Sequence, residues 1–383
     1  MNRTTKSLVI AGALVGVGGL GACRDEPVAP TQSGVTANLQ LAQARGGHAG
    51  TITTFDAPGA GTAAGQGTIP QDINAAGEIT GWYVDAGNVN HAFVRSREGK
   101  ITTVDAPKAG TAAGQGTVPG GINSRGAIAG TIVDGSGVYH GYLRAPDGRF
   151  TTFDVPSAVY TWALDINADG TIDGGYFAAD GVPHCYVRKH DGKLTTFDAP
   201  GAQGTATYIN GSINDAGAVA GQYWDANGAI HGYVRAPHGA ITEFDPPGAG
   251  TAPGQGTTAW MIDNEGSIAG FYTDGSGVNH GFVRDHHGAI TRLDVPGAGT
   301  GAGQGTVAGI SPGGAIAGWY WDGSGVEHSF VRNHDGTITT FDAPGAGTGP
   351  GQGTFVANGT PSGVWEGNYV DNGGVSHGFV RTP

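Results

Sequence analysis

The sequence is poor in the residues that usually brace or charge a fold. It has two cysteines in 383 residues, Cys23 and Cys185, which excludes a disulfide framework. Charged residues are only 13%, with 19 Lys and Arg against 32 Asp and Glu. The formal charge of −13 argues against nucleic acid or an anionic membrane surface as a partner. Glycine is abundant, 74 residues, but without the strict three-residue period of collagen. Aromatic and aliphatic residues recur regularly, so the chain is not a low-complexity disordered one.

The N-terminus reads as a targeting segment. Arg3 and Lys6 precede an apolar run, "LVIAGALVGVGG" (8–19), which is short for a membrane span. "LGAC" (20–23) then resembles the bacterial lipoprotein signal, whose cysteine is lipidated and becomes the first residue. Residues 1–23 are therefore expected to be a signal ending at Cys23. Loss of Arg3 and Lys6 would make the mature chain more negative by two. With Cys23 acylated, Cys185 has no partner for an internal disulfide and is expected to be a small buried residue. Residues 24–50 are rich in Ala, Gln, Pro and Gly, lack strand alternation, and read as a flexible tether.

From residue 51 the chain repeats itself. "NHAFVR" (90–95) returns six more times, with His91, His140, His184, His231, His280, His328 and His377 spaced by 44 to 49 residues. That period, with several short strands per unit, predicts a β-propeller. In the first unit strands are expected at 67–74, 78–85, 91–97 and 100–107, joined by tight turns such as "NAAG" and "EG". The repeat opens with "TITTFDAP" (51–58), a fourth strand lacking its first three. It ends at "SHGFVRTP" (376–383), a third strand lacking its fourth. The expected fold is therefore all-β: a seven-bladed propeller of four-stranded antiparallel blades over 51–383, closed when the N-terminal strand completes the last blade.

Histidine and arginine four residues apart suggest chemistry, but seven copies suit architecture better than one asymmetric catalytic centre. The pairs are His91 and Arg95, His140 and Arg144, His184 and Arg188, His231 and Arg235, His280 and Arg284, His328 and Arg332, and His377 and Arg381. Six of the histidines follow an aspartate by six residues: Asp85, Asp134, Asp225, Asp274, Asp322 and Asp371; the third unit has Ala178 instead. If Asp85 and His91 close the turn, Tyr83 faces Phe93, Gly81 faces Arg95, Phe93 faces Val104 and Arg95 faces Thr102. The Asp–His pair would then lock the hairpin, and carbonyls of a neighbouring blade or the repeated Asp of "FDAP" could partner the arginine.

No catalytic residue and no cofactor is expected. "GAGTAAGQGT" (59–68) lacks the Lys-Ser/Thr and helix of a phosphate loop. "DGSG" (134–137) is like a calcium loop but lacks alternating carboxylates. One Asp and one His per unit, with no third ligand in the phrase, make a poor metal site.

The unit "IN..G.I.G.Y.D..G..HGFVR...G.ITTFDAPGA" resembles the bacterial extracellular HAF repeat, spelled literally by His91-Ala92-Phe93. The resemblance covers 51–383. It implies an exported repeat protein and carries over no activity and no catalytic residue. The third unit departs from it by losing the glycine loop. The sixth and seventh have Ser311 and Thr360 where asparagine is usual.

A binding site on such a scaffold is expected where the pattern breaks, at the end of the ring shared by the loops from fourth to first and from second to third strands. "SAVYTWALD" (157–165) brings Tyr160, Trp162 and Asp165; Tyr208 and Trp260 follow in the next two units. Aromatic faces with acids suit a sugar or another flat neutral ligand, although the same rings could simply fill the space of the lost loop. Trp82, Trp224, Trp319 and Trp321 read as blade packing. Three functions stay open: a lipid-anchored, monomeric scaffold binding a glycan or protein; a propeller lyase or glycoside hydrolase using Asp165 and Asp263; and a purely structural envelope protein.

Overall fold

A computed structural model describes residues 50–383 apart from Gln203, Thr205 and His334. The signal, Cys23 and most of the tether lie outside the described residues. From Thr51 onward the chain is built of short antiparallel strands and tight turns, with one turn of 3-10 helix at Pro200–Ala202. The first repeat unit pairs Gly67–Ile73 with Ile79–Val84, that strand with Asn90–Arg95, and the last with Ile101–Thr103. The other units repeat this order. Ser376–Thr382 finds its fourth strand at the other end of the repeat, pairing antiparallel with Thr51–Phe55.

Unit packs on unit through the sheet faces. Each unit's first strand adjoins the first strands of its neighbours, and Gly353–Gly359 likewise adjoins Gly67–Ile73. The fold is that of a β-propeller, with the first strands innermost around a central channel. Each core is local to a unit and the next one: Phe93, Ile79, Tyr83, Ile73 and Ala57 form one cluster, and Phe379, Trp365, Tyr369 and Val356 belong to another.

The register differs from the sequence expectation, by two residues across the Asp85 turn and by one across the hairpin that follows. Tyr83 faces His91, Gly81 faces Phe93 and Ile79 faces Arg95; Phe93 faces Thr103 and Arg95 faces Ile101. The reason is the turn. Asp85 is not the backbone partner of His91 but folds inside the turn, its Oδ1 accepting from the N–H groups of Gly87 and Val89 while Oδ2 stays 3.5 Å from His91 Nε2. Val84 and Asn90 are the last paired residues. Glycine opposite Phe93 is then required by packing, because a Cβ at Gly81 would collide with the Phe93 ring and with Ile69 O.

Glycine also joins the units. Gly116 has φ +124° and forms a parallel bridge to Asn90 of the preceding unit. A Cβ there would collide with Asn90 O. Gly67, Gly256, Gly305 and Gly353 do the same. In the third unit Tyr160 occupies this place, and its ring packs on Tyr139 and Phe177 instead.

Candidate functional site

The repeated charged residues are held by one another. Each repeat histidine directs Nδ1 to the Asp of its "FDAP"-like strand end, from 2.7 Å (His91–Asp105 and His231–Asp245) to 3.2 Å (His280–Asp294). His140, His184 and His328 pair likewise with Asp154, Asp198 and Asp342. His377 reaches Asp56, near the start of the repeat. The turn aspartates Asp85, Asp134, Asp225, Asp274, Asp322 and Asp371 stand 3.3–3.8 Å from the Nε2 side. Their first task is the turn: the Val89 amide, with further turn and histidine contacts, holds the Asp85 carboxyl below the usual carboxylate range despite some desolvation. Where a tyrosine precedes, the imidazole stacks on it, as His91 does on Tyr83 at 5.0 Å.

The "FDAP" aspartate thus serves histidine, not arginine as expected. Most arginines lie over the fourth-strand phenylalanine of the preceding unit: Arg95 on Phe55, Arg188 on Phe153, Arg235 on Phe197, Arg284 on Phe244 and Arg381 on Phe341, at 4.6–5.0 Å. Such stacking supplies about 0.5–1 kcal/mol each. Arg144 and Arg332 follow units whose fourth strands carry Val104 and Leu293, and neither has an aromatic shelf. Arg144 is half-buried and Arg332 is exposed.

Two further repeated ties escaped the sequence reading. The second residue of most first strands is a buried threonine that accepts an amide from the preceding strand end, as Thr68 does from Ala57 and Thr117 from Ala106. Where that strand end carries Pro246, which has no N–H, Thr257 turns its hydroxyl to Asp245. The second tie is a belt of asparagines. Asn74 Nδ2 donates to Asn123 O, Asn123 to Asn167 O, Asn167 to Asn214 O, and Asn214 to Asp263 O, all at 3.0–3.1 Å. Their Oδ1 atoms cap the following turns, as Asn123 does for Arg125 and Ala127. The signal was present in the recurring "IN", but its partner lies a unit away. Asp263, Ser311 and Thr360 still cap their turns but carry no amide to reach the next unit.

At the end of the channel bearing these turns, the first strands enclose a polar pocket of about 200 Å³ that includes Asp72, Asp165, Ser212 and Asn358. Six of the seven first strands are irregular in register, as at Pro70/Asp72 and Ala163/Asp165, and only Gly305–Ile310 is regular throughout. These bulges free backbone amides, and the acids take them up. Asp72 accepts from Ile73 and from Ile122 of the next unit, both at 2.8 Å. Asp165 accepts from Ile166 and from Ile213 of the next unit. Asp173 bridges the Asp165 and Ser212 amides. Burial pushes Asp72 up to about 7, with the Asp165 charge adding to it. Burial likewise raises Asp165 to about 6 against its two amide bonds. Asp173 and Glu366 are driven well above the usual range, again chiefly by burial. Glu366 Oε2 has no hydrogen-bond partner among the described residues.

A larger pocket of about 800 Å³ opens at the same end beside the fifth to seventh units, where the asparagine belt lapses. Asp263, Glu265, Ser267, Arg332, Asn333 and Arg381 are among its lining residues. Both pockets lie opposite the end at which the sequence placed a site.

The aromatic candidates do not converge. Tyr160 packs with Tyr139 and Phe177, and Trp162 with Phe177. Tyr208 lies against Trp224, and Trp260 against Trp319. Of the five expected binding residues Asp165 alone lines the channel pocket. Its carboxylate neighbours are Asp72, Asp173 and Asp215, while Asp263 lines the larger pocket. Cys185 is buried, its thiol donating to Thr207 O, and burial raises it well above the ordinary thiol range. Among the described residues no group of three or more His, Cys, Asp or Glu is placed to hold a metal ion.

No family model and no curated protein matches the sequence. Solved structures do match the fold. A prolyl endopeptidase aligns at 12% identity and TM-score 0.52, over 87% of this chain and 50% of that one. A puromycin-hydrolyzing peptidase of Mycobacterium tuberculosis aligns at 13% identity and TM-score 0.50, over 82% and 53%. TolB from Acinetobacter baumannii gives 12% identity and TM-score 0.44, over 80% and 64%. The chain thus spans about half the length of the two peptidases. The likeness to the two peptidases supports a β-propeller fold, at identities too low to carry an activity.

Proposed function

We propose that this chain is an exported binding scaffold: a seven-bladed propeller, closed by Thr51–Phe55 in its last blade and held to a membrane by lipid on Cys23. The seven-blade reading rests on the pairing of Thr51–Phe55 with Ser376–Thr382 and on the adjoining of the first and last units' first strands. The likeness to HAF repeats supports export. The observation that carries the functional reading is the fate of the repeated polar residues. Histidine, aspartate, most arginines and most channel acids are occupied by bonds within the scaffold, whereas the fifth to seventh units line a roomy pocket that takes in the exposed Arg332. Pockets of this size commonly receive small ligands, and its mixture of hydroxyl, amide and charged groups suits a glycan.

The test is a glycan array probed with the mature protein, together with binding to envelope fractions. Binding to particular glycans is the expected result, and a blank array with no envelope binding would refute the scaffold reading in favour of a structural role. Fatty-acid labelling lost in Cys23→Ala checks the anchor. A second reading, an enzyme, draws on Asp72 and Asp165, two acids with raised and different proton affinities in one pocket. Their oxygens already accept backbone amides, which argues for structure. Turnover of a glycan substrate that vanishes in Asp165→Asn without loss of folding would reverse this preference.

A further inference from the structure

We infer that the pocket beside the fifth to seventh units recognises an acidic sugar, a uronate or equivalent polyhydroxylated carboxylate, through Arg332. The inference rests on the binding-scaffold reading and adds the chemical class of its ligand. Arg332 occupies a repeated position, so its siblings serve as internal controls. Five of them lie over a phenylalanine of the preceding unit. One of these, Arg381, also lines the pocket but is buried on its shelf. Arg332 has Leu293 there, is exposed, and lines the pocket of about 800 Å³. Among the described residues it forms no ion pair or stacking contact. Arg144 also lacks the shelf, because Val104 precedes it, but it is half-buried and lines neither pocket described above. The loss of the shelf is therefore common to two units, and in only one of them does the arginine line a cavity.

The surroundings define the rest of the ligand. A guanidinium matches a carboxylate through two parallel hydrogen bonds. Asp263 and Glu265 line the pocket from the fifth unit's turn, and Asn333 and Ser267 add amide and hydroxyl groups. Carboxylates accept hydrogen bonds from sugar hydroxyls and would repel a simple polyanion. One carboxylate on a body rich in hydroxyls satisfies both halves of the lining. The pocket opens beside the units in which Asp263, Ser311 and Thr360 replace the belt asparagine, and Asp263 is among its lining residues.

Ligand-observed NMR on the full-length protein tests this with sodium glucuronate, its methyl ester and glucose. Glucuronate should bind, and both neutral compounds should bind about tenfold more weakly or worse, as expected for loss of a charge-assisted pair. Arg332→Ala should cause a similar loss toward glucuronate, and Arg144→Ala should leave binding unchanged. The inference is overturned if glucuronate does not bind, if its ester binds equally, or if Arg332→Ala binds like the parent protein. Array binding to other glycans that survives Arg332→Ala would sink the uronate assignment and leave the scaffold reading standing. A blank array together with no glucuronate binding would sink both.

Discussion

Replacing Asn167 by alanine should destabilise the protein by about 3 kcal/mol. Its amide donates to Asn214 O of the next unit at 3.0 Å, while Oδ1 caps Asp169 and Thr171 at 3.1 and 3.0 Å. The side chain is 5% exposed, and Thr171 is buried as well. Three hydrogen bonds at a net of about 1 kcal/mol each give the figure, and the buried Thr171 amide, left without its acceptor, pushes it upward, while Asn214 O keeps the Gly217 amide. Asn167→Ser should cost about half as much. A hydroxyl can cap the turn, as Ser311 caps Ala315, but cannot span to the next unit. Asn167→Asp retains both caps and sets a carboxylate against Asn214 O, so it should be worse than serine at pH 7 and recover on acidification. Urea denaturation followed by tryptophan fluorescence measures all three. A cost below about 0.5 kcal/mol for Asn167→Ala would refute the claim that the belt ties unit to unit.

Gly116→Ala should cost about 2 kcal/mol or more, because its φ is left-handed and a Cβ would break the bridge to Asn90; a neutral change in the denaturation midpoint would contradict this. Asp105→Asn should cost no more than about 1 kcal/mol, since the His91–Asp105 pair is partly exposed; a clearly larger loss would mean that the rim pairs carry more than geometry suggests. Stability should fall as pH rises from about 4 to 7. Asp72 and Asp165 have folded pKa values of about 7 and about 6, above their unfolded values, so the folded state holds more protons in that window. The turn aspartates, Asp85 and Asp134 among them, are lowered and act in the opposite sense below about pH 4. Denaturation at pH 5 and 7.5 measures the slope, and equal or rising stability toward pH 7.5 would contradict the assignment.

Much of the fold could be read from the chain. The His-Ala-Phe phrase, its period and the turn glycines placed the strands nearly as observed, with Asn90–Arg95 matching the quoted hexapeptide. The register was misjudged because Asp85 and His91 were expected to stand opposite each other on the backbone. The turn's own amides draw Asp85 Oδ1 inside the turn, so the backbone pairing shifts even though Asp85 Oδ2 still meets His91 Nε2 at 3.5 Å. What could not be read locally were the contacts between units. Arg95 meets Phe55, and Asn74 meets Asn123, across most or all of a repeat, and no pattern inside one unit says which neighbour a side chain will face. The bulges that gather the channel acids were equally hidden, because alternation along a strand does not announce where an extra residue slips in. The departures from the repeat pointed to Tyr160, Trp162, Tyr208 and Trp260, which are spent on packing: Tyr160 and Trp162 share Phe177, Tyr208 lies against Trp224 and Trp260 against Trp319. The larger pocket lies beside the units in which Asp263, Ser311 and Thr360 stand in place of asparagine, a change visible in the chain only as the absence of an amide.

The pairing of Thr51–Phe55 with Ser376–Thr382 also sets an order of events. His377 and Asp56, which meet across this seam, are 321 residues apart in the chain. During synthesis Thr51–Phe55 must wait for a partner that emerges after every other strand. Until then both sheet edges stand open to other chains, and contacts of such long range form slowly. Any factor that shields those edges, or any delay in delivering the final strand, would therefore act on the yield of folded protein without changing the stability of the finished one.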